Sequence, residues 1–272
     1  MTSISALPPL RDVIARYELR TRKSLGQHFL CDLNLTRRIM ELAGDMSGCT
    51  IFEIGPGPGG LTRALLESQA TQVIAVEKDT RCVTALDDVV AVAQGRLRVI
   101  EGDALKTDLT SLAPAPRAIV ANLPYNVGTE LLLIWLREIE NYRSLTLMFQ
   151  SEVVDRLVAT PHSKTYGRLS VIAQFCCNVR RVMDIPAAAF SPPPQVNSAV
   201  VHLTRRTERP ADIPFVAIEK ITAAAFGQRR KMLRSSLKSL GGVDLLGRAG
   251  INPELRAENL SLSDFESLAR LL

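Results

Sequence analysis

The apolar pattern of this chain predicts an α/β protein, a doubly wound and mostly parallel sheet followed by a small helical C-terminal domain. Three observations carry that prediction. Strand-like apolar runs recur at residues 50–54, 72–76, 97–100, 118–121, 145–149 and 169–177, and helical patterns fill most gaps between the first five. A glycine-rich stretch, "IGPGPGG", follows the first of these runs. Beyond the charged, proline-containing stretch "TRRTERPADIP", helical patterns dominate to the end.

Taken in order, "SLGQHFLCDLN" has loop character and "LTRRIMELA" has helical spacing. The run at 50–54 is bounded by the glycine stretch, and a helix is expected to start near Gly60 or Leu61. After the sixth run, "AFSPPPQVNSAVVHL" is a proline-rich loop feeding a last strand at 198–203, expected to pair antiparallel with the sixth. The boundary falls near 206–210, giving a first domain over 1–206 and a second over 207–272.

With 272 residues, 46% of them hydrophobic, the chain can bury one large and one small core. Apolar runs such as 131–136 fall far short of the roughly 20 residues that span a bilayer, and the N-terminus has no apolar signal core. The reading is a soluble, cytoplasmic protein with no membrane partner, and a monomer, since no coiled-coil pattern occurs. Five cysteines without a C-x-x-C pair read as reduced and structural. Three scattered histidines give no metal site. The net charge of +5 is uneven. Residues 1–30 carry five basic against two acidic side chains, residues 206–272 eleven against eight, and the body between seventeen against eighteen. Positive charge at both ends favours a polyanionic partner.

Gly55-x-Gly57-x-x-Gly60 sits where a strand turns into a helix, and glycines there let backbone approach a ligand that any Cβ would obstruct. NAD, FAD and S-adenosylmethionine sites all use such a Rossmann-like loop. Glu77 ends the next strand about twenty residues on, where a carboxylate can accept both ribose hydroxyls of an adenosine. Asp103, at the end of the third strand, could hold the adenine amino group or cap a turn.

The fourth strand runs into Asn122-Leu123-Pro124-Tyr125. Adenine N6 is a poor nucleophile because its lone pair is delocalised into the ring. The Asn122 side-chain oxygen and the Leu123 carbonyl can accept its two N–H groups and favour the pyramidal nitrogen that attacks a methyl group. Pro124 fixes the carbonyl's direction and Tyr125 offers a face to an extruded base. No strong general base is needed if the proton leaves after attack.

The ordered set "KSLGQHFL", "EIGPGPGGLT", "VEKD", "EGDAL", "NLPYNV", "YGRLSV", "FSPPPQVNSAVV" and "AAFGQRRKMLRSSL" resembles the KsgA-type ribosomal RNA adenine dimethyltransferases over nearly the whole chain. The resemblance implies a Rossmann-like methyltransferase sheet and S-adenosyl-L-methionine as cofactor. It implies transfer to N6 of two adjacent adenosines in the 3′-terminal hairpin loop of small-subunit rRNA, with the small ribosomal subunit as partner. It also implies that His28 and Leu30 border the cofactor, Gly55 and Gly57 line its methionine moiety, Glu77 its ribose and Asp103 its adenine. Asn122 would meet its methyl end and the target amine, and Phe190 would clamp the base opposite Tyr125. His28 stands where most members carry Asn, and Gln195 and Asn197 where Lys and Asp are usual.

Arg229, Arg230, Lys231, Arg234 and Lys238 put five cations into ten residues, and on one helix Arg230, Arg234 and Lys238 would form a stripe. With a second cluster at Arg16, Arg20, Arg22 and Lys23 they are the candidate RNA contacts. The same motifs admit an Erm-type large-subunit rRNA methyltransferase or a non-catalytic small-subunit assembly factor. The glycine loop alone admits a nicotinamide-dependent oxidoreductase.

Overall fold

The structure, a computed structural model, describes residues 4–19 and 26–272. The chain divides into two compact units, Met1–Ser151 with Arg180–Thr204, and Glu152–Val179 with Arg205–Leu272.

The first unit contains α1 (Leu10–Arg16), β1 (Phe29–Leu30), α2 (Leu33–Ala43), β2 (Thr50–Ile54), α3 (Gly60–Glu67), β3 (Gln72–Glu77), α4 (Thr80–Ala85), α5 (Asp87–Val92), β4 (Leu97–Glu101), β5 (Arg117–Asn122), α6 (Gly128–Arg137) and β6 (Ser144–Gln150). The chain returns to it through β7 (Cys177–Ile185), β8 (Phe190–Ser191) and β9 (Ser198–Arg205). Seven strands form one sheet in the order β4-β3-β2-β5-β6-β9-β7. The pairings β2 with β3, β3 with β4, β2 with β5 and β5 with β6 are parallel, and β9 runs antiparallel to β6. Sequence order moves outward from β2 to β4 on one side and from β5 on the other. The order therefore reverses between β2 and β5, and the crevice beyond their C-terminal ends is where such sheets bind ligands.

Burial explains why these segments are strands. Every residue of β2 is buried, and Ile51, Phe52, Ile119 and Leu145 are wholly enclosed, each worth about 1.5–3 kcal/mol of transfer free energy. Helix α2 is started by Asp32, whose Oδ1 accepts the N–H groups of Asn34 at 2.8 Å and Leu35 at 3.4 Å. A small two-stranded ladder joins β1 to β8, pairing Leu30 with Phe190 and Phe29 with Ser191.

The second unit is helical, with α7 (Ser151–Leu157) entering it and α8 (Arg168–Cys176), α9 (Phe215–Gly227), α10 (Leu233–Ser236), α11 (Gly242–Arg248) and α12 (Leu262–Arg270) following. Tyr166 stands edge-on to Phe226 at 6.0 Å, and Phe226 stacks on Phe265 at 5.6 Å. The Arg206–Glu266 ion pair, at 2.6 Å, is mostly shielded from solvent.

Four expectations are corrected. The run at 169–177 is helix α8 as far as Cys176, and only its last residue, Cys177, is strand, at the start of β7. Six of the helix's nine residues are buried, and its apolar continuity carries no period. Polar anchors hold it: Ser170 Oγ accepts the Gly167 N–H at 3.0 Å, and Gln174 Nε2 donates to the Leu157 and Ala159 carbonyls. Consequently the last strand lies between β6, to which it is antiparallel, and β7, the strand that follows the helical run. The unit boundary is not a single cut near 206, because residues 152–179 belong with the C-terminal helices. Their contacts, including Tyr166 on Phe226 and Arg168 near Glu219 at 3.7 Å, lie there. Finally, Arg230, Arg234 and Lys238 do not share one helix. Helix α9 ends at Gly227, a turn closes with Lys231 N–H on the Gln228 carbonyl, and Met232 is extended before α10.

Candidate cofactor and base site

The C-terminal ends of β2, β3, β4 and β5 open on a cavity of about 150 Å³ in the first unit. His28, Leu30, Gly55, Gly57, Glu77, Asp103, Asn122, Leu123, Pro124 and Tyr125 all line it. Ten residues chosen from five separate stretches of sequence thus meet at one place.

The glycines are needed where they stand. Gly57 has φ +56°, and a Cβ there would press on the Phe29 ring at 3.0 Å. A Cβ on Gly60 would lie 2.6 Å from the Leu30 carbonyl oxygen, so α3 can begin only where the 26–30 loop crosses it if no side chain is present. The loop is also tied to the acid of β3. Glu77 Oε2 accepts the Gly57 N–H at 3.0 Å, and Oε1 accepts those of Lys78 and Asp79, both at 2.8 Å. Burial pushes the Glu77 carboxyl up, and the three N–H groups work against that rise.

Asp103 is engaged by Lys78 Nζ at 2.8 Å and by the Leu105 N–H at 3.1 Å, and the Lys78 hydrogen bond leads in holding its carboxyl below the ordinary range. It therefore caps a turn and faces the cavity at once. Lys78 was not singled out by the sequence, although it stands beside Glu77 in "VEKD".

Glu53 was missed as well. It is 1% exposed within β2, lines the cavity, and its Oε2 has no hydrogen-bond partner among the described residues. Burial drives its carboxyl up to about 8. The signal was present: "TIFEI" contains one charge in an otherwise apolar strand that must be buried on both faces.

Asn122 is oriented by the N-terminal loop. Its amide nitrogen donates to the His28 carbonyl at 3.2 Å. A carbonyl can only accept, so the amide oxygen is directed away from His28 as an acceptor. The Pro124 carbonyl accepts the N–H groups of Val127 at 3.3 Å and Gly128 at 2.9 Å, which closes the turn into α6. Tyr125 is fixed at its far end by a 2.7 Å hydrogen bond between its hydroxyl and Ser198, and burial raises that phenol's pKa. The His28 ring stacks on Tyr125, with centroids 5.3 Å apart and planes inclined by 29°, while its Nδ1 meets the Pro192 carbonyl at 3.0 Å.

Phe190 is not among the residues that line this cavity. It is 4% exposed and packs in the core of the first unit with Leu30, its ladder partner. Asn197 instead clips the proline-rich loop, accepting the Ala187 N–H at 3.0 Å. The cationic residues Arg229, Arg230, Lys231, Arg234 and Lys238 are exposed in the second unit. Arg22 and Lys23 lie outside the described residues.

Two solved structures that share this architecture are methyltransferases. A dimethyladenosine transferase from Plasmodium falciparum matches with a TM-score of 0.77 at 26% identity, over 89% of this chain and 96% of that one. The 23S rRNA methyltransferase ErmE matches with a TM-score of 0.66 at 25% identity, over 89% and 99%. Fold and strand-end chemistry together define a class I methyltransferase. Residues 18–272 match the ribosomal RNA adenine dimethylase family, and the chain belongs to that family. Its relatives include proteins named ribosomal RNA small subunit methyltransferase A. One, from Paramagnetospirillum magneticum, is 57% identical across 98% of this chain and 95% of its own length. Another, from Rhizobium etli, is 55% identical across the full length of both.

Proposed function

We propose that the protein transfers methyl groups from S-adenosylmethionine to N6 of two adjacent adenosines in the 3′-terminal hairpin loop of small-subunit 16S rRNA, giving N6,N6-dimethyladenosine, as a cytoplasmic monomer acting in small-subunit biogenesis. The relatives named as small-subunit methyltransferases support the substrate, and the cavity supports the cofactor. Its walls bring Glu53, Glu77 and Asp103 against one lysine, and Glu53 offers an unpaired buried oxygen. Such walls suit a nucleoside bearing cationic sulfonium and ammonium groups. Glu77 and Asp103 would hold the ribose and adenine, the glycine loop and Glu53 the amino-acid end, and His28 and Leu30 the border. When bound, the cofactor supplies an electrophilic methyl group.

The remaining work belongs to the Asn122–Tyr125 turn. The single observation that carries the proposal is the Asn122 amide, turned by the His28 carbonyl so that its oxygen is available as an acceptor at the end of β5. That oxygen and the Leu123 carbonyl take the two N–H groups of the target amine. Its lone pair is thereby localised for attack, and the proton departs afterwards to solvent. Tyr125 receives the extruded base on its ring face, at a cost in unstacking that is lowest in a loop.

The deciding experiment incubates the protein with labelled S-adenosylmethionine and small subunits from a strain lacking the modification. The methylated nucleoside is then located by mass spectrometry. Dimethyladenosine confined to the 3′-terminal hairpin is the expected result. Transfer to large-subunit RNA alone would assign the chain to the Erm-type reaction, and binding without transfer would leave an assembly factor.

A further inference from the structure

We propose that a second cavity, between α2 and α3, binds a small aliphatic monocarboxylate on the Nε–Nη2 edge of the Arg63 guanidinium. This site is separate from methyl transfer, since no residue lines both this cavity and the one at the strand ends. Residues 60–66 of α3 are all buried, and Arg63, 4% exposed, is the only charged one among them. A guanidinium stays protonated in a protein, so Arg63 takes a full positive charge and five N–H donors out of water. Among the described residues it has a single hydrogen-bond partner, the Pro8 carbonyl, which accepts from Nη1 at 2.8 Å. Its Nε is buried without a partner, and no carboxylate of the described residues lies within ion-pair distance. Asp88, whose charge is felt at Arg63, is itself paired with Arg16 at 3.2 Å.

The cavity has a volume of about 130 Å³ and lies in the first unit. Arg63 lines it together with Arg37 and Glu67, and Ile4, Leu7, Leu33 and Ala64 give it apolar walls. Pro8, toward which Nη1 turns, is not a lining residue, so the edge left for the cavity is Nε with Nη2. That edge presents two parallel N–H groups spaced to meet both oxygens of one carboxylate. The neighbouring arginine uses the same edge in this way: Arg37 donates to Glu67 from Nε at 2.7 Å and from Nη2 at 3.0 Å. Because Arg37 and Glu67 neutralise each other, the lining keeps one uncompensated positive charge, which suits a monoanion. A phosphate dianion would face the Glu67 carboxylate and four hydrocarbon walls that cannot replace its water. Those walls select a carboxylate that carries a short alkyl chain. An apolar cavity of about 150 Å³ takes benzene, so a ligand of about six non-hydrogen atoms, the size of butyrate, fits here.

The test titrates the full chain, carrying isotope-labelled arginine, with sodium butyrate and follows the side-chain Nε–H signals by NMR. The signal missing from Arg63→Lys, which has no Nε–H group, belongs to Arg63. Sodium chloride, inorganic phosphate and neutral butyramide are titrated in parallel at matched ionic strength. The expected result is a saturable shift of the Arg63 signal with butyrate and none with butyramide. Arg63→Met fills similar space without the charge, so it should fold with a melting temperature at or above that of the wild type. Its butyrate affinity, read by calorimetry, should fall by about 10- to 100-fold, the worth of a charge-assisted pair. Arg63→Lys, a point charge in place of a fork, should keep only part of the wild-type affinity. An unmoved Arg63 signal would overturn the site, as would full butyrate affinity in Arg63→Met. An equal response to chloride or phosphate would overturn it too, leaving an adventitious ion only. The titration of the wild-type chain decides the matter even where the Met variant does not fold.

Discussion

Two side chains of the cavity carry separable parts of the chemistry. Asn122 has its nitrogen committed to the His28 carbonyl, so truncation removes an acceptor for the target amine and a tether of the N-terminal loop together. Asn122→Ala is expected to lower kcat by about 10²–10³, the scale of one preorganised electrostatic partner, with the melting temperature nearly unchanged. Asn122→Asp restores an acceptor but opposes a carboxylate to the His28 carbonyl, so single-turnover rates should stay far below wild type. Glu53 makes a different prediction, about protons. Its carboxyl is raised to about 8 by burial, so near neutral pH it is mostly protonated in the free protein. A cationic ligand favours the ionised form, and binding must expel that proton. Affinity for S-adenosylmethionine should therefore strengthen as pH rises toward about 8 and then level off, with proton release visible by calorimetry in buffers of different ionisation enthalpy. Glu53→Gln should flatten the profile. The free protein pays the converse: the folded-state value lies above the ordinary 4.5, so stability contributed by this group declines as pH rises from about 4.5 to about 8. A melting curve with no such decline would remove Glu53 as the titrating group.

At the level of elements, the site depends on one crossing, where the 26–30 loop passes over the start of α3. Gly60→Ala puts a methyl group 2.6 Å from the Leu30 carbonyl oxygen, a backbone atom that cannot rotate away. The loop must shift, disturbing β1 and its ladder with β8 and pulling the His28 carbonyl from Asn122. The expected cost is about 1–3 kcal/mol of stability by overpacking, with a weakened cofactor affinity, read by thermal melting and calorimetry. Unchanged values for both would show that the crossing is looser than the contact implies. The same elements explain what the sequence could reveal. The β2 strand, the glycine turn and the start of α3 were legible because glycine marks backbone that no side chain could follow, and β5 because a buried run ends abruptly in Asn-Leu-Pro-Tyr. Helix α8 was not legible: six of its nine residues are buried, and a strand and a helix would show the same apolar string. The inward place of Phe190 was equally hidden, since whether an aromatic beside prolines points to core or cavity is settled by the β1–β8 ladder, a pairing of residues far apart in the chain. Glu53 was visible as a charge in an apolar strand, and its meaning emerged only with the cavity in front of it.

Across the whole molecule the excess positive charge lies in the terminal segments, and the described part of the C-terminal segment shows how unequal its cations are. Arg229 is spent on structure: it pairs with Glu258 at 3.2 Å and donates to the Lys164 carbonyl at 2.6 Å. Arg234 has Glu254 at 3.6 Å. Arg230, Lys231 and Lys238 are exposed and have no acidic partner among the described residues. If this surface binds rRNA through phosphates, those three contribute most, because no internal ion pair must be broken first. Each cation that neutralises a phosphate steepens the dependence of log affinity on log salt by about 0.7–0.9. Replacing Arg230, Lys231 and Lys238 together by Gln should reduce that slope by about 2 for small-subunit binding. The affinity deficit should be largest at low salt and shrink as salt rises, since the lost contacts are the ones salt screens. Single-turnover methylation at saturating subunit should hold near the wild-type rate, because these residues position RNA and take no part at the amine. Arg229→Gln should behave differently, lowering the melting temperature through loss of its two internal contacts while changing the salt slope little. Filter-binding titrations across a salt series decide the matter, and an unchanged slope in the triple variant would move the RNA contact off this surface.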